Sequence, residues 1–419
     1  MRITFLITMG IERPSGRRYF AIARELVERG HRVRLLALHP DLSTCAQHRF
    51  VQAGVEVWYV GQMHARKRGS ATERFGPLAL LWVLLSSTLG MIWGIMCSPA
   101  AVYHLGKPQP VNGLAALIGV SMLRRKRFFV DCDDDEVLSN RLTAPWQRAV
   151  FGFWQWLLPG IAAGVTVNTS FLAGCMRRRG IAPVVLVPNG VEIAQFTRPD
   201  PAVLAALRTA LGLEGRQVIG YAGTLALQNH PVDLLLAAFA LLAGDFPTLA
   251  LLLIGAGEDS DALQARAAQL GLQDRVYFSG HVAHSTVRAL LALADLSVDP
   301  VHNDDVARAR SPLKLVESLA LGVPCVTGAV GDRVAVLADG GGWLCAGGSA
   351  QALADTLRVA LGDQAWLRAE SANAPMVAAR YDWAALAANW EYVYTTQLGK
   401  ANRVATEAMQ NHQSTAADI

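Results

Sequence analysis

Lys314 and Glu317 stand three residues apart inside SPLKLVESLALGVPCVT, Ser311–Thr327, and their types at that spacing suit an anionic ligand that carries hydroxyls. Ser311 reads as a helix N-cap and Pro312 as the first helical residue, where a missing N–H costs nothing. Leu315, Val316, Leu319 and Ala320 form an apolar helical stripe that Gly322 stops, and Val323–Thr327 reads as a short buried strand. Lys314 and Glu317 then share one face near the helix start. A helix N-terminus attracts anions, the lysine adds charge, and a glutamate one turn on can accept from sugar hydroxyls. The combination describes a site for a nucleotide diphosphate.

A second group is DCDDDE, Asp131–Glu136, placed directly after an apolar strand, Phe128–Val130. Carboxylates this crowded resist joint ionisation, so at least one should hold its proton more tightly than usual. Three readings stand in order: contact with an acceptor or base catalysis at a cleft, a capped helix start, and a metal site. Asp133 and Asp134 are the residues the first reading selects. A third candidate is the turn from Gly10 to Gly16, with Arg17 and Arg18 at the start of the following helix. Gly16 and Arg17 are assigned there to an acceptor-facing loop, because open α/β sheets bind ligands beyond their strand C-termini. An ordinary strand-to-helix connection is the alternative.

The elements that position these groups alternate. Ile3–Thr8, Val33–Leu38 and Val55–Val60 read as strands around an amphipathic helix, Tyr19–Arg29. After a turn at Val187–Glu192, strands Gln217–Gly223, Thr248–Ile254, Arg275–Ser279 and Asp295–Asp299 alternate with helices Pro231–Ala243, Asp259–Leu270 and Ser285–Leu293. Two rounds of strand and helix imply an α/β protein of two facing Rossmann-like domains with parallel sheets and a cleft between them. The expected division is 1–188, 189–380, a terminal helix over 381–398 that packs back on the N-terminal domain, and a disordered tail over 399–419. No GxGxxG fingerprint follows a strand.

The chain has 419 residues, 52% hydrophobic and only 17% charged. Its six cysteines show neither CxxC pairs nor metal spacing, which suits buried thiols in a reducing compartment. The net charge of +4 conceals an asymmetry: residues 1–190 hold 23 Lys and Arg against 11 Asp and Glu, and the remainder 15 against 23. The basic half is the half expected to meet an anionic surface. No nucleic-acid motif accompanies its clusters, so nucleic acid is not an expected partner.

Pro77–Cys97 has no charged residue and is long enough to span a bilayer. Spanning would split the first sheet between two compartments, which makes it the least favoured reading. A helix lying in the interface, or a shallow re-entrant hairpin, is preferred, with Trp82 and Trp93 at headgroup level. Burial inside the domain is the alternative. Arg124–Arg127 either adds to lipid attraction or forms a solvated cluster.

VPNGVE (Val187–Glu192), GYAGTL (Gly220–Leu225), LLIGAGED (Leu252–Asp259) and SPLKLVESLALGVPCV occur in this order and spacing, and with them the chain resembles the retaining family-4 glycosyltransferases of GT-B fold. The resemblance runs from residue 1 to about 397. It implies a nucleotide-diphosphate sugar held mainly by the C-terminal domain and an acceptor held mainly by the N-terminal one. On that basis Gly223, Thr224, His230, Gly255, Gly257, Lys314, Leu315 and Glu317 are assigned to the donor, Glu317 on ribose and Lys314 near the diphosphate. The family's first paired glutamate falls where this chain has Ala309. Its diphosphate lysine or arginine falls at Asn229 and His230, so Arg308 and Arg310 join the donor set. The resemblance also implies retention by front-face attack, with no metal and no cofactor beyond the co-substrate. The resulting expectation is a cytoplasmic glycosyltransferase on the inner membrane face, acting on a lipid-linked or other saccharide acceptor in polysaccharide or glycolipid assembly. A non-catalytic nucleotide-sugar-binding subunit is the alternative, and a dinucleotide oxidoreductase follows it.

Overall fold

The computed structural model describes residues 1–68, 71–140, 142 and 144–396. The expected tail, Gly399–Ile419, lies outside the described residues. The chain divides into two compact units, one comprising Met1–Pro188 and the chain from Trp383 onward, the other Asn189–Asp382. Tyr381 and Asp382 belong to the second unit and not to the terminal helix of the expected division. The reason is local: the Val191 amide donates to the Tyr381 carbonyl, and Val191 forms a lone parallel bridge with Asp382.

The first unit carries strands β1 (Arg2–Ile7), β2 (Arg32–His39), β3 (Arg49–Gln52), β4 (Val55–Gln62), a hairpin of β5 (Ala65–Arg68) and β6 (Ala71–Arg74), β7 (Val102–Gly106), β8 (Phe129–Cys132), β9 (Gly164–Val167) and β10 (Val184–Leu186). Its main sheet runs β10-β9-β8-β7-β1-β2-β4-β3 and is parallel except for β3. Its helices are α1 (Pro14–Glu28), α2 (Pro77–Cys97), α3 (Pro110–Ala115), which continues as a π-helical stretch over Ala116–Leu123, α4 (Pro145–Ile161) and α5 (Ser170–Arg178). Ile3, Phe5 and Ile7 of β1 share one core with Tyr19 and Ile22 of α1 and with Trp390 and Tyr394. The last two lie on a closing helix over residues 383–396, where Trp383, Leu386, Trp390 and Val393 recur at helical spacing. Side chains alternate across a strand, so the opposite face of the sheet receives α2 and α3. There Leu36 of β2 lies against Gly94 of α2, and Asn112 of α3 donates to the Leu6 carbonyl.

The second unit carries α6 (Pro201–Ala210), β11 (Gln217–Ala222), α7 (Val232–Leu242), β12 (Leu249–Ile254), α8 (Ser260–Gln269), β13 (Val276–Phe278), α9 (His284–Leu291), β14 (Leu296–Asp299), α10 (Asp305–Ala309), α11 (Leu313–Ala320), β15 (Cys325–Gly328), α12 (Arg333–Val336), β16 (Gly342–Cys345), α13 (Ala350–Gly362) and α14 (Gln364–Ala379). Its sheet, β13-β12-β11-β14-β15-β16, is wholly parallel. Parallel strands covered on both faces need continuous apolar sequence, and LALLLI of β12 is buried at every position.

Two sequence expectations need correction. Ser311 does not cap α11: Pro312 occupies the cap position, and the Ser311 hydroxyl accepts from the Asn189 amide at 2.9 Å. The Pro–Asn–Gly turn thus takes the oxygen that the helix was expected to use. Pro77–Cys97 is one continuous helix rather than a re-entrant hairpin, and only about a third of its apolar window is buried. Small residues set its depth. Ser87 lies against Gly61 and donates to the Gln62 carbonyl at 2.9 Å, while Gly90 lets the helix meet the Val60 carbonyl directly.

Candidate functional site

In the second unit the chain runs from β11 outward to β12 and β13, then returns to the other side of β11 as β14. That reversal opens a crevice beyond the carboxyl ends of β11 and β14, the usual ligand position in such sheets. Lys314 of α11 reaches into it. Its ammonium donates to the Tyr221 hydroxyl at 2.8 Å and to His230 Nδ1 at 3.0 Å, and stands 4.7 Å from the Tyr221 ring centre. Tyr221 in turn donates to the Thr224 carbonyl at 3.1 Å, fixing the turn after β11. A Cβ on Gly223 would lie 2.6 Å from the Lys314 nitrogen, so only glycine leaves room for that ammonium.

The protonation states follow from burial and neighbours. Burial pushes Lys314 down to about 8, with the Arg333 and Arg310 charges acting the same way and Asp299 and Glu317 opposing them. His230 is pushed down to about 3 by burial and then by Lys314 and Arg310, so it is neutral at physiological pH. Because Nδ1 accepts from Lys314, the imidazole proton sits on Nε2, where it can be donated. Burial also holds the Tyr221 phenol well above its ordinary value. Burial alone would raise Asp299, but the Arg333 and Lys314 charges and the Arg333 hydrogen bond at 2.8 Å bring it below the usual carboxylate range. The crevice therefore presents one titrating ammonium, one neutral N–H donor and a charge-compensated carboxylate beneath them.

Of the assigned donor residues, the structure brings Gly223, Thr224, His230, Arg310 and Lys314 to this crevice, with Arg310 donating to the Asn229 carbonyl at 3.2 Å. Glu317 is half-buried one turn beyond Lys314 and close enough to act on its charge. Arg308 is elsewhere, held by Asp305 at 2.7 Å and Asn303 at 2.6 Å. Leu315 is a fully buried core side chain, because the helical stripe that seats α11 also includes its position. Gly255 and Gly257 serve a different purpose from close approach to a ligand. A Cβ on either would run into the carbonyl oxygen of Gly223 or Leu225, so these glycines let two strand-end loops pack backbone on backbone. Ala309 is wholly buried on α10, where a carboxylate would need a partner.

The first unit has its own reversal, between β1 and β7, and a polar cluster fills the adjoining strand ends. Lys107, which follows β7 with a left-handed φ of 69°, places its ammonium 2.9 Å from Glu136 Oε1 and 3.1 Å from Asp133 Oδ1. Burial would lower Lys107, but Asp133 and Glu136 hold it well above its ordinary value. Gln109 donates to the second Glu136 oxygen at 2.7 Å and accepts from Thr8 at 2.5 Å. Asn168 donates to the Asp133 carbonyl at 2.5 Å, while its own Oδ1 is buried without a hydrogen-bond donor.

The acidic run is thus divided among separate tasks. Asp131 lies inside β8, not after it, and forms a buried pair with Arg18 at 3.0 Å. Tyr19 and Thr166 also donate to it, at 3.1 and 2.6 Å. Asp134 accepts from the Ser139 hydroxyl and Asp135 from the Val137 and Leu138 amides, so the two organise a turn. No helix starts there, which removes the capped-helix reading; the next begins at Pro145. Among the described residues no group of three or more His, Cys, Asp or Glu is arranged to hold a metal ion. Gly16 is buried within α1, packed on the Gly10 carbonyl, and exposed Arg17 donates to the Glu12 carbonyl at 3.1 Å. Neither belongs to the Lys107 cluster.

Sequence reasoning missed Lys107, Tyr221 and Asp299, and named Arg18 without its partner Asp131. A signal existed for Lys107: it is the only charged residue between Arg74 and Arg124, at the end of a buried strand.

Two known protein families match parts of this chain. Residues 15–190 match the glycosyl transferase 4-like domain, and residues 206–380 match the glycosyl transferases group 1. Among curated relatives, the D-inositol 3-phosphate glycosyltransferase of Thermobispora bispora is 33% identical over 52% of each chain. The phosphatidyl-myo-inositol mannosyltransferase of Mycolicibacterium smegmatis is 29% identical over 56% of this chain and 57% of that protein. The chain spans about half the length of these curated relatives. Among solved structures, the sucrose-phosphate synthase of Thermosynechococcus elongatus superposes with a TM-score of 0.70 at 17% identity, covering 97% of this chain and all of that one. HepE of Anabaena, in complex with UDP and glucose, gives 0.68 at 20% identity over 94% of this chain and all of that one.

Proposed function

We propose, on the premise that this chain belongs to the GT-B glycosyltransferases of the group 1, type 4-like kind, that it moves a sugar from a nucleotide-diphosphate donor to a hydroxyl acceptor. The observation that carries the reading is the Lys314 ammonium, placed with neutral His230 beyond the ends of β11 and β14. Charge develops on the diphosphate as the glycosidic bond breaks, and fixed donors aimed there stabilise the transition state more than the ground state. Lys314 supplies the charge, His230 a hydrogen bond through Nε2, and Arg310 shapes the loop between them. Glu317 holds the donor ribose. Retention by front-face attack suits this set, since the departing phosphate can take the acceptor proton and the protein need only position both substrates.

For the acceptor, the Lys107 cluster offers hydroxyl-binding chemistry, with the Asp133 carboxylate held by Lys107 and a buried oxygen on Asn168 that has no donor. Asp133 orients the incoming hydroxyl; Asp134 stabilises the turn beneath it. Relatives named for inositol phosphate and phosphatidyl-inositol support a polyhydroxylated acceptor, and the exposed apolar side of α2 supports a lipid-linked one reached at the cytosolic membrane face.

The test is a thermal-shift panel of nucleotide sugars on the purified protein, followed by assay of nucleoside-diphosphate release with and without membrane lipid extract. Release that depends on a stabilising donor supports the proposal. Donor binding with no transfer and no hydrolysis favours a non-catalytic binding subunit, which buried Ala309 and the replacement of a basic residue at Asn229 keep in view.

A further inference from the structure

The apolar surface of the first unit is not confined to α2. Leu78, Trp82, Leu85, Leu89 and Trp93 form an outward stripe along α2 at intervals of three and four, and Trp82 is 71% exposed. Trp146, Val150 and Phe153 form a similar stripe on α4, with Trp146 62% exposed, and Trp156 extends it. Between these helices lies α3 with its π-helical continuation. Gly113 of α3 fits against Trp154 and Leu158 of α4, and Gly119 fits against Ile95 of α2. The continuation exposes Met122 and Leu123. Three neighbouring helical segments on one side of the sheet therefore turn large apolar side chains outward, more than a soluble monomer ordinarily shows.

Basic side chains predominate around this surface, with Glu56 paired to Arg34 at one edge. None of the three segments contains Asp or Glu. Exposed Arg125, Lys126 and Arg127 follow the π-helical stretch, and Arg124 donates to the Met96 carbonyl at the end of α2. Exposed Arg177–Arg179 end α5, and Arg179 donates to the Trp156 carbonyl and stands 5.8 Å from its ring. At the other side of α2, Arg49 lies 4.8 Å from the Trp93 ring and 4.1 Å from that of Trp58. Arginines beside exposed tryptophans at the rim of an apolar face match the headgroup region, where aromatic rings settle and phosphates supply negative charge.

We infer that α2, the π-helical continuation of α3, and α4 form one platform that seats in the surface of an anionic lipid bilayer, its rim arginines on lipid phosphates. This rests on the membrane-facing reading of the acceptor and extends it to a defined surface and lipid charge. Lying in the interface, α2 buries its outward stripe in the acyl boundary and keeps its small-residue stripe on the sheet. The platform sets the depth at which a lipid-linked acceptor meets the strand ends of this unit.

The experiment is flotation of the full chain with vesicles of phosphatidylcholine alone and of phosphatidylcholine with about one-third phosphatidylglycerol. Wild type should float with the anionic vesicles and much less with the neutral ones, and added salt should weaken the difference. Trp146→Glu with Phe153→Glu, on α4, should lower anionic-vesicle binding at least about tenfold. Arg125→Glu with Arg177→Glu should abolish the preference for anionic lipid. Each variant should keep the nucleotide-induced thermal shift, which reports an intact donor site. Undiminished flotation of the α4 variant, or equal binding of wild type to both vesicles, overturns the platform. So does a stable dimer of wild type in lipid-free solution that the α4 variant dissociates. Failure of donor turnover would overturn the proposed transferase and leave flotation unaffected, so the two ideas fall separately.

Discussion

With Lys314 on the donor diphosphate as proposed, donor affinity should depend on pH. The Lys314 ammonium is pushed down to about 8, chiefly by burial. In the free protein it is therefore about nine-tenths protonated at pH 7 and about one-tenth protonated at pH 9. Binding of the donor diphosphate requires the protonated form, so donor affinity should fall about tenfold between those values. The diphosphate diester of a nucleotide sugar has no phosphate group titrating in that window, and His230, pushed down to about 3, is neutral throughout. Calorimetric titration of the donor at half-unit steps from pH 6.5 to 9.5 reads the curve directly. Lys314→Arg should flatten it, because guanidinium stays charged. Lys314→Met should bind weakly at every pH.

The same ionisation has the opposite effect on the empty protein. A lysine whose folded value lies below its unfolded 10.5 binds fewer protons folded than unfolded between pH 8 and 10.5. Its contribution to stability is therefore least below pH 8 and grows as pH rises through that window. Donor-bound and empty protein should converge in Tm above pH 8, the empty protein gaining stability from this group while the complex gains none. Constant wild-type donor affinity from pH 7 to 9 would show that the Lys314 charge does not hold the diphosphate.

Glu317→Ala should weaken donor binding about tenfold through loss of a charged hydrogen bond to ribose, with Tm of the empty protein little changed; unaltered affinity in the same titration would remove that role. Arg18→Met strands buried Asp131, 3.0 Å away, and should cost about 3–5 kcal/mol of stability in denaturant unfolding, with Asp131→Leu added to it recovering part of the loss. Gly255→Ala adds a side chain at φ 136° that runs into the Gly223 carbonyl, and should cost about 1–3 kcal/mol by the same measurement while displacing the loop beside Lys314 and weakening the donor.

Local pattern carried most of the second unit. Apolar runs such as LALLLI and the stripe on α11 declare buried parallel strands and the helix face that covers them, and the motif glycines mark the strand ends. What local pattern cannot show is which distant groups become neighbours. Tyr221 and Lys314 are 93 residues apart, Arg18 and Asp131 are 113 apart, and each pair exists only because of strand order. The DCDDDE run reads as one cluster in the sequence because its members are adjacent. The strand alternation and turn geometry give them different partners: Asp131 to Arg18, Asp133 and Glu136 to Lys107, and Asp134 and Asp135 to a turn. Ser311 shows the converse error, since a good capping residue in the right place was claimed by a backbone amide 122 positions away.

The partition of charge then bears on how the chemistry is shared. In the proposed donor crevice the buried carboxylate, Asp299, is paired with Arg333 at 2.8 Å, and the Lys314 ammonium rests on the neutral Tyr221 and His230 side chains. In the first unit Lys107 is matched against two carboxylates, so that cluster offers acceptors rather than a cation. A diphosphate and a sugar hydroxyl ask for these opposite provisions: positive charge and N–H donors for the first, fixed oxygens for the second. Exchanging the two would fail, because a phosphate beside Asp133 and Glu136 would meet like charge and a hydroxyl beside Lys314 would waste it. Double replacement of Lys107 by Met and Glu136 by Gln removes the compensating pair together and keeps Asp133. It should therefore raise the KM for acceptor while leaving the donor titration and its pH dependence unchanged. A shift in donor affinity alone would place the diphosphate, and not the acceptor, at the first unit's strand ends.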